Sequence, residues 1–357
     1  MIKTYNKAEM ELLTGGTSAG LVAHKLMGSG MDTSVLKPWI GQDGKSYVTR
    51  MFNGKPVAVP INNAATLRKD EWKQLDDAVL FASQERFVGV ADLYSRNLVY
   101  RIGNGLAKTV LEYEDASQLT AAELTMDGVT PSQRDRIVYD LKYLPLPIVH
   151  KDFSYNIRAL AASRSGGSPL DTTTAQQAAR VVTELVEQLL FVGSSSYSYG
   201  GGTLYGYLDF PYNNDVTLSV HWDASAKTGE HILDDVRAMK QASIDAKHYG
   251  PWVLYVPTAY ETVLDDDFKA NSDKTIRQRI LEISGIQDVK VADKLTADKV
   301  VLVQMTSDVV RMVEGMAMTT VEWQEGGGMT SNYKVMTIMV PQIRADQEGN
   351  CGVTVLG

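Results

Sequence analysis

Residues Asp171 to Gly193 read DTTTAQQAARVVTELVEQLLFVG. Ala175, Ala178, Ala179, Val182, Leu185, Val186 and Leu189 recur at the three- and four-residue spacing of one helical face, while Arg180, Glu184 and Glu187 lie off it. Asp171 is a good N-cap, with Pro169 outside it, and Gly193 suits a left-handed C′ position. The spacing predicts a helix over 172–192, roughly 30 Å long at ~1.5 Å per residue. Its stripe, Leu185 included, is expected to be buried, so that a charge at Leu185 would prevent folding.

Upstream of this helix, Gly166-Gly167-Ser168-Pro169 marks a loop, and a short helix is expected over Phe153–Ser163. Pro145-Leu146-Pro147-Ile148 interrupts what precedes it, because proline cannot donate to a ladder. Residues 98–144 read as a long β-hairpin. Thr109–Tyr113 forms one strand; on the other, Ile137, Tyr139, Leu141 and Tyr143 alternate with Val138, Asp140 and Lys142. A hairpin alone is marginal in water, so one that projects implies a neighbour. Residues 67–87 form a helix pattern with Thr66 as cap and Trp72, Leu75, Val79 and Ala82 on one stripe. Residues 1–66 carry glycines and no long period, the pattern of an extended arm. Within them, Asn53-Gly54 between Tyr47–Phe52 and Lys55–Val59 predicts a small hairpin.

Downstream, Ser194–Gly202 reads as a loop, and the chain then alternates α and β. Helices are expected over Thr228–Ala246 and Thr275–Ile283, with strands at Trp252–Val256 and Val300–Val303. The second strand is a continuous apolar run, the pattern of burial on both faces. Two more strands, Thr319–Trp323 and Val335–Val340, are joined through Gly326-Gly327-Gly328.

The chain has 357 residues, and Lys plus Arg (35) against Asp plus Glu (43) leaves a net charge of −8. That balance excludes a protein whose main task is gripping nucleic acid through a basic face. One cysteine, Cys351, excludes an internal disulfide framework and a multi-cysteine zinc site, and is expected to act as a small hydrophobe. A 44% hydrophobic and 22% charged composition is that of a folded chain. No run of about 18 apolar residues spans a membrane, and the N-terminus lacks a secretory pattern, so synthesis in the cytoplasm is expected.

Motifs for chemistry fail on context. Gly16-Thr17-Ser18-Ala19-Gly20 matches G-x-S-x-G but follows no hydrophobic strand. Gly44-Lys45-Ser46 resembles the end of a phosphate loop, yet Trp39 stands where its first glycine belongs. His24, His150, His221, His231 and His248 form no i, i+4 pair, and Asp265-Asp266-Asp267 is a run rather than a cage. The late methionines, Met305 to Met339, read as adaptable packing. The excess of 17 tyrosines over 7 phenylalanines suits surfaces covered by partners. An enzyme site in 194–315, built on His231 or Asp265, has only fold analogy behind it.

Several stretches resemble one family: LPLPIVHKDF at 144–153, Arg158, SRSGGSPLDT at 163–172 and LLFVG at 189–193. Tyr205-Gly206-Tyr207 with Pro211, Tyr249-Gly250-Pro251 followed by LYVP at 254–257, and VPQIRADQEG at 340–349 belong to the same set. With this order of elements the chain resembles the Hong Kong 97-type major capsid proteins of tailed phages and the related encapsulin shell proteins. The resemblance is specific from about 67 to 350 and weaker before. It implies an α+β fold with an N-terminal arm (1–66), an arm helix (67–88) and an E-loop hairpin region (89–144). A peripheral domain would comprise 145–193 and 316–357 with a spine helix at 172–192, and an axial domain 194–315. It implies no enzyme activity, catalytic residue, cofactor or metal.

The implied partners are further copies of the chain in pentamers and hexamers around packaged double-stranded DNA held weakly and non-specifically. Portal, decoration and separate scaffolding proteins join them, and no membrane. About 66 residues precede the first family-like helix, which leaves no room for a large fused scaffolding domain. The implied location is the virion, assembled in the host cytoplasm; the alternative is an encapsulin compartment around cargo enzymes. The candidate assembly residues are Val110, Tyr113, Tyr139, Tyr143, Leu185 and Leu189.

Overall fold

The computed structural model describes residues 39–40, 46–52, 55–60, 69–84, 88–117, 136–156, 172–269, 273–325 and 330–357, with isolated positions 119, 122, 124, 126 and 158. In chain order the strands begin with β1 (Trp39–Ile40), β2 (Ser46–Phe52) and β3 (Lys55–Pro60), followed by helices α1 (Lys69–Gln84) and α2 (Gly89–Ser95). Next come β4 (Val99–Arg101), β5 (Val110–Ala116), β6 (Tyr139–Pro145), β7 (Val149–Asn156) and α3 (Thr173–Phe191). After them lie β8 (Ser194–Tyr199), β9 (Gly202–Leu204), β10 (Asn214–Val216), α4 (Gly229–Asp245) and β11 (Trp252–Val256). The chain ends with α5 (Glu261–Asp265), α6 (Ile276–Leu281), β12 (Ile286–Val291), β13 (Val300–Gln304), β14 (Val310–Glu325), β15 (Thr330–Ile343) and β16 (Val353–Leu356).

Two layered bodies result. In the first, a four-stranded sheet in the order β4-β14-β15-β7 carries α3 and α1. Ala175, Ala178, Ala179, Val182, Val186 and Leu190 face Met312, Val335 and Val340 in one apolar cluster. Trp72, Leu75 and Val79 of α1 join them as their spacing predicts. In the second body, a five-stranded sheet in the order β10-β16-β13-β11-β12 carries α4 and α6. Strand β11 is buried along its whole length: Val253 and Tyr255 enter the first cluster, while Trp252, Leu254 and Val256 enter a second with Ile232, Val236 and Met239 of α4. Strand β13 behaves alike, the double burial expected of its apolar run. Each such Val or Leu contributes roughly 1.5–3 kcal/mol of transfer free energy. Helix α4 starts at a capping box in which Thr228 Oγ1 accepts from the His231 amide and the His231 ring accepts from the Thr228 amide.

Several expectations are corrected. Thr172, not Asp171, holds the N-cap position of α3, without a side-chain bond. The helix expected from Phe153 is instead strand through Asn156: Phe153 pairs with Tyr333 and Tyr155 with Ser331, and alternate burial of Phe153 outweighs the helical spacing. Ser194–Gly202 is not a loop but the hairpin β8–β9, turning at Gly200 and Gly201, both with positive φ. Val99–Arg101 belongs to no hairpin and lies parallel to Met312–Glu314. Val353–Leu356, expected with 316–357, pairs with β13 and β10 in the five-stranded sheet, whereas Val310–Gly315 belongs to the four-stranded one. Leu185 is 43% exposed, so it is no part of the buried stripe. Glu187, expected off the stripe, is 3% exposed. Thr66, Asn53-Gly54, Asp171 and Gly326-Gly327-Gly328 lie outside the described residues, as do Gly16–Gly20 and His24. The flanking strands of the expected small hairpin do pair, from Phe52 with Lys55 to Tyr47 with Pro60.

Candidate functional site

Among the described residues the hairpin β5–β6 is a sheet of its own that joins neither large sheet, its strands pairing from Val110 opposite Pro145 to Ala116 opposite Tyr139. Near its base it is half-buried. There Val110 and Tyr143 meet the β8–β9 turn so closely that a Cβ on Gly202 would lie 2.2 Å from the Tyr143 carbonyl oxygen. Farther out, Ile137, Val138, Tyr139 and Leu141 are exposed, Tyr139 by 61%, and Leu124 and Met126 are fully so. Along β6, Tyr139 and Leu141 share one face and Asp140 and Lys142 the other, the expected alternation, and Val138 just before the strand adds one exposed apolar side chain on the polar side.

Of the six sequence candidates, Tyr139 and Leu185 are exposed, and Val110, Tyr113 and Tyr143 are partly covered by the chain's own body. Leu189 lies in the core and is unavailable to a neighbour. Spacing marked Leu185 and Leu189 alike; only the packing of α3 separates them. Beside the hairpin an open groove of about 710 Å³ is lined by Tyr139, Tyr143, Tyr205, Phe210, Tyr212 and Pro341. Tyr205 and Phe210 meet edge to face at 5.9 Å, and Phe210 and Tyr212 at 5.7 Å. The excess of tyrosine was the signal for this surface; its location was not.

A polar joint ties the two bodies together. The Tyr255 hydroxyl and the Lys290 ammonium each donate to Asp92, at 2.8 Å, across from α2 to the five-stranded sheet. Lys294 donates to Glu184 of α3 at 3.0 Å. The Glu187 carboxylate accepts from the amides of Val88, Gly89 and Val90 at 3.0, 2.6 and 3.2 Å, so α3 caps the start of α2. Burial pushes the Glu187 carboxyl up to about 7 despite those three donors, and the charge of Asp293 adds to the effect. Burial likewise pushes Glu322 up to about 7, opposed by hydroxyls of Tyr333 and Ser331. The sequence carries no local sign of this joint, because its partners are 97 to 198 positions apart.

The residues considered for chemistry lie apart. His231 is engaged in its cap, Asp265 pairs with Arg277 at 3.1 Å, His150 lies beside Asp152 and His221 beside Asp298. Burial pushes the Cys351 thiol up to about 12, which keeps it unreactive at neutral pH. Among the described residues no three His, Cys, Asp or Glu side chains converge as a metal site, and no helix is long and apolar enough to cross a membrane.

Known structures share this fold. The virus-like particle from Pyrococcus furiosus matches with a TM-score of 0.59 at 19% identity, over 80% of this chain and 99% of that one. The capsid of Myoviridae phage XM1 matches with a TM-score of 0.58 at 8% identity, over 76% and 92%. The capsid of a native GTA particle gives 0.54 at 11%, over 76% and 90%. The fold is thus α+β and of the Hong Kong 97 type. The chain belongs to the family described as "Family of unknown function (DUF6260)", whose model matches residues 62–355. It is also 23% identical over 240 residues, 66% of this chain and 71% of the relative, to the type 1 encapsulin shell protein EncA of Myxococcus xanthus (strain DK1622).

Proposed function

We propose that this chain is a shell subunit, the major capsid protein of a tailed-phage head assembled in the host cytoplasm around double-stranded DNA. The observation that carries this reading is the hairpin β5–β6: a two-stranded ribbon of the kind that is marginal alone in water, with Ile137, Val138, Tyr139 and Leu141 exposed together at and just before its second strand. Burial against a second copy would stabilise it and would explain why an otherwise well-packed chain keeps such a surface. In this reading the four-stranded body is the peripheral domain, the five-stranded body is the axial domain at the five-fold and six-fold axes, and Tyr139 and Leu185 are interface residues. A net charge of −8 suits a wall that must release the DNA it surrounds.

Electron microscopy of the purified full chain tests the reading. Closed particles are expected, and removal of residues 119–134 should leave native circular dichroism but no particles. A chain that stays monomeric at high concentration, or a deletion variant that assembles normally, would refute it. The likeness to EncA favours a second reading, a compartment around a cargo enzyme. Particle contents separate the two: genome-length DNA supports the first, and a co-purified enzyme in a DNA-free shell the second.

A further inference from the structure

Residues 344–352 connect the last strand of the four-stranded sheet, β15, to β16 in the interior of the five-stranded one. This connection is stiff. Asp346 Oδ1 accepts from the Asn350 amide and Asp346 Oδ2 from its side-chain nitrogen, both at 2.7 Å. The Gly349 amide donates to the Asp346 carbonyl at 3.0 Å, and Ala345 bridges to Cys351. The connection is also fastened to the five-stranded body: Lys247 donates to Glu348 at 2.8 Å, and Asn214 donates to the Cys351 carbonyl at 2.7 Å.

From this turn two side chains reach the hairpin beyond its glycine-packed base. Arg344 Nη2 donates to the Glu114 carbonyl at 3.0 Å, and its guanidinium lies 5.8 Å from the centre of the Tyr113 ring. Gln347 Nε2 donates to the carbonyls of Asp115 on one strand, at 3.1 Å, and Val138 on the other, at 3.0 Å. The ribbon is thus held at two points along its length. The inner point is the Gly200–Gly202 turn against Val110 and Tyr143; the outer is the Arg344–Gln347 pair. Two separated points define a direction, which one point cannot do.

We propose that Arg344 and Gln347 are positioning residues that set the angle at which the hairpin leaves the body, so that its direction follows the five-stranded body through the 344–352 turn. Taken with the shell reading, on which this consequence rests, a chain whose five-stranded body tilts to suit its place in the shell would re-aim the contact it offers its neighbour. No catalytic or ligand-binding role is involved.

The test uses the full chain with spin labels at Glu112→Cys on the hairpin and Thr262→Cys on the five-stranded body, diluted in unlabelled chain. The native Cys351 is buried and stays unlabelled. A control pair, Lys151→Cys with Thr262→Cys, spans the two bodies. Gln347→Glu keeps size and shape but removes both donors; Arg344→Ala with Gln347→Ala removes the whole outer point. The expected result is a broadened hairpin distance in both variants, with an unchanged control distance and unfolding midpoint, and particles of mixed diameter. Restoration of the narrow distance by Arg344→Lys beside native Gln347, relative to Arg344→Ala, would separate positioning from bulk packing. A hairpin distance that stays narrow in both variants overturns the proposal, as does broadening matched by the control pair. If the unaltered chain forms no particles, the shell reading falls, while the distances still decide the positioning role.

Discussion

Glu187→Gln perturbs the joint where α3 caps α2 and changes one charge with almost no change of volume. In the native state the Glu187 carboxyl keeps its proton up to about 7, whereas its ordinary value is 4.5. Between those values the folded chain binds more protons than the unfolded one, so stability falls as pH rises through that window. The full difference corresponds to about 3 kcal/mol at ~1.4 kcal/mol per pH unit, of which about 2–3 kcal/mol falls between about pH 5 and about pH 8. Glutamine cannot ionise and should remove that slope. Its amide nitrogen faces one backbone donor, a cost of about 1–2 kcal/mol that is independent of pH. Glu322 titrates in the same window and in the same direction, so part of the decline remains until Glu322→Gln is added. Glu184, whose carboxyl is held low by Arg180 and Lys294, acts below the window. Urea unfolding of wild type, the single variant and the double variant, at matched protein concentration, measures the effect. Wild type should lose stability from the lower to the higher pH, the single variant less and the double variant least. Parallel profiles for wild type and Glu187→Gln would refute the claim that burial of this carboxylate governs its proton.

Phe191→Ala removes a fully buried ring that meets Tyr207 at 5.6 Å and Tyr255 at 5.1 Å, and should cost about 3–5 kcal/mol, read as a fall in the unfolding midpoint. Leu185→Asp should leave the subunit folded and impair only particle formation, whereas Val186→Asp, one position on and fully buried, should prevent soluble expression; circular dichroism and sedimentation distinguish them. Gly202→Ala places a methyl group against the Tyr143 backbone and should loosen the hairpin base, seen as faster amide exchange in β5 and β6.

Local chemistry determined much of this protein before any tertiary contact. Most of the stripe of α3, the both-faces burial of β13, the helix α4 and the β5–β6 ribbon follow from periodicity and turn residues, and the matching stretches around them carried the fold type. Tertiary structure decided the rest. Leu185 and Glu187 exchanged their expected places because spacing defines a face only to within a residue or so, and which edge of it closes depends on what lands there. The start of α2 lands on Glu187 from 98 positions away, and three unsatisfied amides favour a buried carboxylate over a buried leucine. The same holds for Val353–Leu356, three apolar residues and a threonine with no period long enough to assign. Their sheet was chosen by the open edges of β13 and β10, and with it the turn that reaches the hairpin. A pattern within one segment reports how that segment shields itself from water; which segments meet is set by the complementary surfaces of distant ones.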